Sequence, residues 1–226
     1  MTLKQIRAAA ILAVLFCGCV LMGVVDGVIS PPYEAKSAVK IVAFGIVPTV
    51  LLISFDKNSF VKLLKPEKKG ILISLFCGCA LYAIILGGYF LLRNIFDFSA
   101  VTDSLVSGEG VTKEKFPYVA LYISIFNSFL EEFFFRGFAF LGLKELLDRK
   151  AAHTVSALMF ALYHVAIMSG WFSHILFVLL LLGLYAGGVI FNAIDEKSGC
   201  IYSSWLLHAF ANLAINTVGM ILFGII

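Results

Sequence analysis

The stretch FLEEFFFRGF, Phe129 to Phe138, sets two carboxylates and a guanidinium into a run of phenylalanine. On a helix Glu132 and Arg136 are four apart, so they share a face and can pair. Glu131 is rotated about 100° from Glu132 and looks elsewhere, with Asn127 one turn before it. Two later stretches supply imidazoles. HTVSALMFALYHVAIM carries His164 with Phe160 one turn before it. CIYSSWLLHAFANLAINTV carries Ser204, His208, Asn212 and Asn216 at four-residue spacing, one polar stripe on a helix. A carboxylate in an apolar site can take a proton from water, and a neighbouring histidine can share it. An imidazole N–H and an asparagine amide on one face suit the oxyanion that develops on an attacked carbonyl. Together these residues point to amide hydrolysis.

Each group also has a plain structural reading. Glu132 and Arg136 can form a salt bridge near a helix end with a snorkelling arginine, and His164 can be a hydrogen-bonded packing residue. The stripe can join helices or line a wet cavity. Depth favours the chemical reading. Counting 1.5 Å per residue from the expected inner ends, Glu131 lies roughly 18 Å in, His164 roughly 20 Å, and His208 and Asn212 roughly 14–20 Å. Three helices thus bring their least lipid-compatible residues to a similar level.

The elements that must position these residues follow from composition. The chain has 226 residues, 61% hydrophobic and 14% charged, with a mean hydropathy of +1.01. A soluble domain of this size cannot hide that much apolar surface. Apolar runs of spanning length predict an all-α integral membrane protein with about seven transmembrane helices. They lie at roughly 8–28, 38–56, 71–92, 118–143, 151–168, 172–193 and 199–226. We expect one membrane domain over 1–226, with three N-terminal spans in 1–92, a four-span catalytic core in 118–226 and a polar cavity inside the bundle. Pro48 is expected to kink the second span.

Charge sets the orientation. Eleven Lys and Arg residues (4, 7, 57, 62, 65, 68, 69, 144, 149, 150 and 197) fall on one side, and Lys36, Lys40, Arg93, Lys113 and Lys115 on the other. The positive-inside rule puts the N-terminus in the cytoplasm and the C-terminus outside. The first apolar run is read as a retained anchor. A formal net charge of +3 gives no sign of a nucleic-acid partner. LFCGC occurs twice, at Leu15–Cys19 and Leu75–Cys79, but residues two apart on a helix point about 200° apart. These cysteines are read as small packing residues beside a glycine. His153 and His174 are read as interfacial. The zinc-protease motif H-E-x-x-H and the nucleophile elbow G-x-S-x-G are both missing from the sequence. Zinc held by Glu131, His164 and His208 from separate helices stays open as an alternative.

EEFFFRG, FALYH and HAFAN together resemble the signatures E-E-x-x-x-R, F-x-x-x-H and H-x-x-x-N, in that order. These are the signatures of the CPBP family, the type 2 CAAX prenyl protease and Abi bacteriocin-processing proteins, which are intramembrane glutamic endopeptidases. The resemblance covers Tyr118 to Thr217. It implies that Glu131 and His164 activate water, that Glu132 and Arg136 form a supporting ion pair, and that His208 and Asn212 stabilise the oxyanion without a metal cofactor. It further implies a membrane-associated peptide or prenylated protein as substrate. The short chain suggests a prokaryotic plasma membrane and peptide maturation or bacteriocin immunity. The rival expectation is a non-catalytic immunity or scaffold protein, or a small transporter, on the same helical core.

Overall fold

The structure is a computed structural model that describes residues 2–226. The chain is an all-α, multi-pass integral membrane protein, with no strand among the described residues. Among the described residues, seven helices are long and apolar enough to span a bilayer: α1 Leu3–Ile29, α2 Tyr33–Asn58, α3 Lys68–Leu92, α4 Phe116–Leu141, α5 Arg149–Met168, α6 His174–Ser198 and α7 Tyr202–Leu222. Each coincides with an expected span. Side-chain caps fix several starts: Glu67 accepts from the Lys69 and Gly70 amides before α3, and Asp148 from the Lys150 and Ala151 amides before α5.

α4 is the axis of the bundle. It touches α1, α2, α5, α6 and α7, and every residue from Glu131 to Phe140 is buried. A helix enclosed on all sides must be apolar all round, which accounts for the phenylalanines. Phe134 stacks on Phe44 of α2 with centroids 4.0 Å apart, and Phe135 meets Phe160 of α5 edge-on at 5.3 Å. Such ring pairs add about 0.5–1.5 kcal/mol each beyond area burial. Lipid takes the opposite surfaces: Phe76, Leu91, Ile84 and Ile175 are all exposed.

The two LFCGC stretches use their glycines as contact points. Gly18 lies against Phe134 and Phe44, and Gly78 against Phe210. All five cysteines are free, and Cys17, Cys77 and Cys79 are exposed. Gly188 of α6 lies so close to α5 that an added Cβ would sit 3.0 Å from the Ala157 Cα and 3.4 Å from the Arg136 guanidinium. α6 therefore needs glycine there to reach Arg136.

Two features depart from expectation. α2 begins at Tyr33 rather than at 38, so Lys36 as well as Lys40 lies inside a span, and both are buried. They do not belong with the outer-side loop charges. Lys36 pairs with Asp26 at 3.4 Å and with Glu109 of the long connection at 2.8 Å. The positive charge left at that side (Arg93, Lys113, Lys115) makes the asymmetry steeper. Secondly, the spans are not uniform α-helix. α4 widens into π-helical turns over Ile123–Asn127 and Phe133–Leu141, leaving Ser128–Glu132 as an α-helical turn between them. α2 widens over Ile41–Ile46, just before Pro48, and there the Val47 amide reaches back to the Val42 carbonyl. Such turns occur often at functional sites, and here they flank Glu131, Glu132 and Lys40.

Candidate active site

Glu131 stands at the meeting point of four helices. Its Oε1 accepts from Asn127 Nδ2 at 2.9 Å, one turn back on α4. The same oxygen accepts from Lys40 Nζ of α2 at 2.5 Å. Lys40 also donates to Asn127 Oδ1, and its ammonium lies 4.9 Å from the Tyr163 ring and 5.6 Å from the Phe44 ring. The other oxygen, Oε2, faces His164 Nε2 of α5 at 3.8 Å and His208 Nε2 of α7 at 3.7 Å. Both gaps exceed a hydrogen bond.

The far side of each ring fixes its tautomer. His164 Nδ1 lies 2.7 Å from the Phe160 carbonyl, one turn back on α5. A carbonyl only accepts, so Nδ1 carries the proton and Nε2 of the neutral ring is a bare acceptor. His208 Nδ1 lies 2.7 Å from Glu132 Oε1. An ionised carboxylate also claims the Nδ1 proton, and it favours a second proton at Nε2 by stabilising imidazolium. Glu131 Oε2 and the His164 Nε2 lone pair thus converge on a point that a water proton fits.

Glu132 is shared. The oxygen that meets His208 is 3.0 Å from Arg136 Nη1, with both side chains fully buried. The guanidinium lies 4.0 Å from the Phe160 ring and 5.2 Å from the Phe191 ring, so charge and ring faces hold it together. The expected ion pair is present, and it also positions His208.

The stripe on α7 divides. His208 points to the centre. Ser204 donates to Asp195 Oδ2 of α6 at 2.6 Å, and Asn216 donates to the Ala120 carbonyl and to Ser124 on α4. Asn212, one turn outward from His208, is half-buried, with its Nδ2 3.3 Å from the Ile123 carbonyl. The structure therefore brings Glu131, Glu132, Arg136, His164 and His208 together and places Asn212 at the edge. His153 pairs with Glu196 at 3.3 Å, and His174 is exposed at the start of α6.

The sequence reading missed two residues. Glu131, which was expected only to look away from the face of Glu132 and Arg136, has a cation of its own in Lys40. Asp195 lies within α6, fully buried, where a loop was expected. Among the described residues no group of three His, Cys, Asp or Glu side chains stands at metal-holding distances, and Glu131 has the Lys40 ammonium as its neighbour.

A membrane bundle that encloses carboxylates and imidazoles at one level, each held by a named partner, belongs to the class of polytopic proteins with a polar centre inside the bilayer. Residues 113–214 match the family described as type II CAAX prenyl endopeptidase Rce1-like. That stretch, from just before α4 into α7, is similar to this family of CAAX-type membrane proteases. No curated protein and no solved structure matches.

Proposed function

We propose that the protein is an intramembrane endopeptidase in which Glu131 and His164 activate a water molecule. The observation that carries this reading is the convergence of Glu131 Oε2 with His164 Nε2 and His208 Nε2 at 3.8 and 3.7 Å, with the opposite side of each group already engaged. Water gives one proton to Glu131 Oε2 or His164 Nε2, and its oxygen attacks the substrate carbonyl carbon. The carbonyl electrons move onto oxygen, where the His208 imidazolium, backed by Glu132, supplies a charged donor. The Asn212 amide lies one turn away on the same face and is the candidate second donor once it leaves the Ile123 carbonyl. On collapse the C–N bond breaks, and the proton held by the Glu131–His164 pair goes to the leaving amine.

The scheme needs no metal from the protein, and Glu132 and Arg136 act as its brace. Burial of the centre within the spans supports a membrane-associated or lipidated peptide as substrate. The family supports a prenylated C-terminal tail among the choices.

The test compares peptides released from membranes containing wild-type protein or Glu131→Gln, at matched protein levels and with a chelator present. Products seen only with the wild type support the scheme. Identical products from both would remove Glu131 from the reaction, and activity lost to chelation and restored by zinc would bring back a metal centre. Matching levels matters because Glu131→Gln leaves the Lys40 charge without its carboxylate, so the variant is expected to be less stable as well as inactive.

A further inference from the structure

α2 lies outside the segment that matches the family, yet it delivers a cation to the centre. We propose that Lys40 is a positioning residue, which holds Glu131 by Oε1 so that Oε2 is the oxygen presented to the imidazoles. The catalytic half of this inference rests on the hydrolase reading above. The coupling of Lys40 to Glu131 does not.

The two oxygens of a free carboxylate are equivalent, and a broad terminal torsion exchanges them. Here they are not equivalent. Lys40, Asn127 and Glu131 form a closed triangle in which each pair is hydrogen-bonded: Lys40 to Glu131 Oε1, Lys40 to Asn127 Oδ1, and Asn127 Nδ2 to Glu131 Oε1. Both donors converge on the position of Oε1, so rotating the carboxylate plane, short of the half-turn that merely exchanges identical oxygens, breaks the contacts on that side.

The lysine is itself confined. It is 7% exposed and flanked by the Phe44 and Tyr163 rings, and Phe44 is stacked on Phe134 of α4. α2 is thereby fixed against the helix whose carboxylate it holds. The widened turn at Ile41–Ile46 begins at the next residue, so Lys40 ends the regular α-helical stretch that carries it. What Lys40 supplies is a carboxylate held in one orientation.

Two measurements on the full chain in detergent micelles test this. The first is a thermal-unfolding cycle of wild type, Lys40→Met, Glu131→Gln and the double variant. We expect Lys40→Met to lower the midpoint clearly when Glu131 is present, and the double variant to be at least as stable as either single one. An equal loss in both backgrounds would mean that Lys40 merely packs, and would overturn the proposal. If Lys40→Met alone fails to fold, a double variant that folds is the expected result, and failure of both overturns it.

The second is hydrolysis of an internally quenched farnesylated CAAX peptide. Lys40→Met should lower kcat about 100-fold, the scale of a 1 Å misplacement, with KM changed little. Lys40→Arg, which keeps a cation on Oε1, should recover part of that loss. A raised KM with kcat intact would assign Lys40 to substrate binding instead. If wild type leaves this peptide intact, the substrate choice fails, while the unfolding cycle still decides the coupling.

Discussion

Arg136→Ala is the sharpest probe of how the centre is braced. Arg136 and Glu132 are both fully buried, 3.0 Å apart. Removing one member of such a pair leaves an uncompensated buried charge, at a cost of about 3–5 kcal/mol. The lost contacts to the Phe160 and Phe191 rings push towards the upper end, because a desolvated cation–ring contact is worth about 2 kcal/mol. Against that, Glu132 keeps His208 at 2.7 Å, which can take a proton and supply a replacement charge. We therefore expect a loss of about 3 kcal/mol, or roughly two orders of magnitude in the folding constant. The assay is unfolding in micelles of wild type, Arg136→Ala, Glu132→Gln and the double variant. The double variant should regain part of the loss, since it removes both charges together. An Arg136→Ala protein as stable as wild type would refute the brace. Additive losses in the double variant would show that the two side chains act separately.

Glu132→Gln should keep the hydrogen bond to His208 Nδ1 but remove the charge that supports imidazolium. We expect kcat to fall by about 10²–10³, the scale seen on removing one oxyanion donor, with KM nearly unchanged; a pure KM effect would contradict the role given to His208. Gly188→Ala puts a methyl group 3.0 Å from the Ala157 Cα and 3.4 Å from Arg136 Nη2. It should destabilise by about 1–3 kcal/mol through overpacking, read as a lowered unfolding midpoint, and an unchanged midpoint would show that α6 can move away from α5 freely.

Much of the fold was legible because a bilayer enforces it. Apolar runs of spanning length have few alternatives once backbone groups must be satisfied internally, so all seven spans could be read. The ion pair of Glu132 and Arg136 was legible from four-residue spacing, and the convergence of Glu131, His164 and His208 from their common depth. The π-helical turns in α2 and α4 were not. Phe44, Phe134 and Phe135 lie in two of them and pack between helices, and a widened turn leaves no mark on composition. Asp195 and Lys40 were lost for another reason. Asp195 lies in the polar stretch IDEKS and Lys40 just after DGVISPPYEAKS, both of which read as loops, while α6 runs on to Ser198 and α2 already begins at Tyr33.

Lys40 could nevertheless have been found by charge balance. Within the expected spans the central charges were Glu131, Glu132 and Arg136, two negative against one positive. A lone carboxylate near the bilayer centre costs about 2.5–3.5 kcal/mol on insertion scales, so the surplus charge called for a cation from another helix. Among the loop-assigned cations, Lys36 and Lys40 stand four apart just before an apolar run, and so share one face of any helix that begins early. That face turns inward: Lys36 meets Asp26 of α1, and Lys40 meets Glu131 of α4. The outer of these two lysines also ties down the long connection through Glu109. One short stretch of α2 therefore secures both the centre and the segment above it. A substitution that tilts α2 should disturb both sites together, whereas Lys40→Met alone should leave the Lys36–Glu109 contact in place.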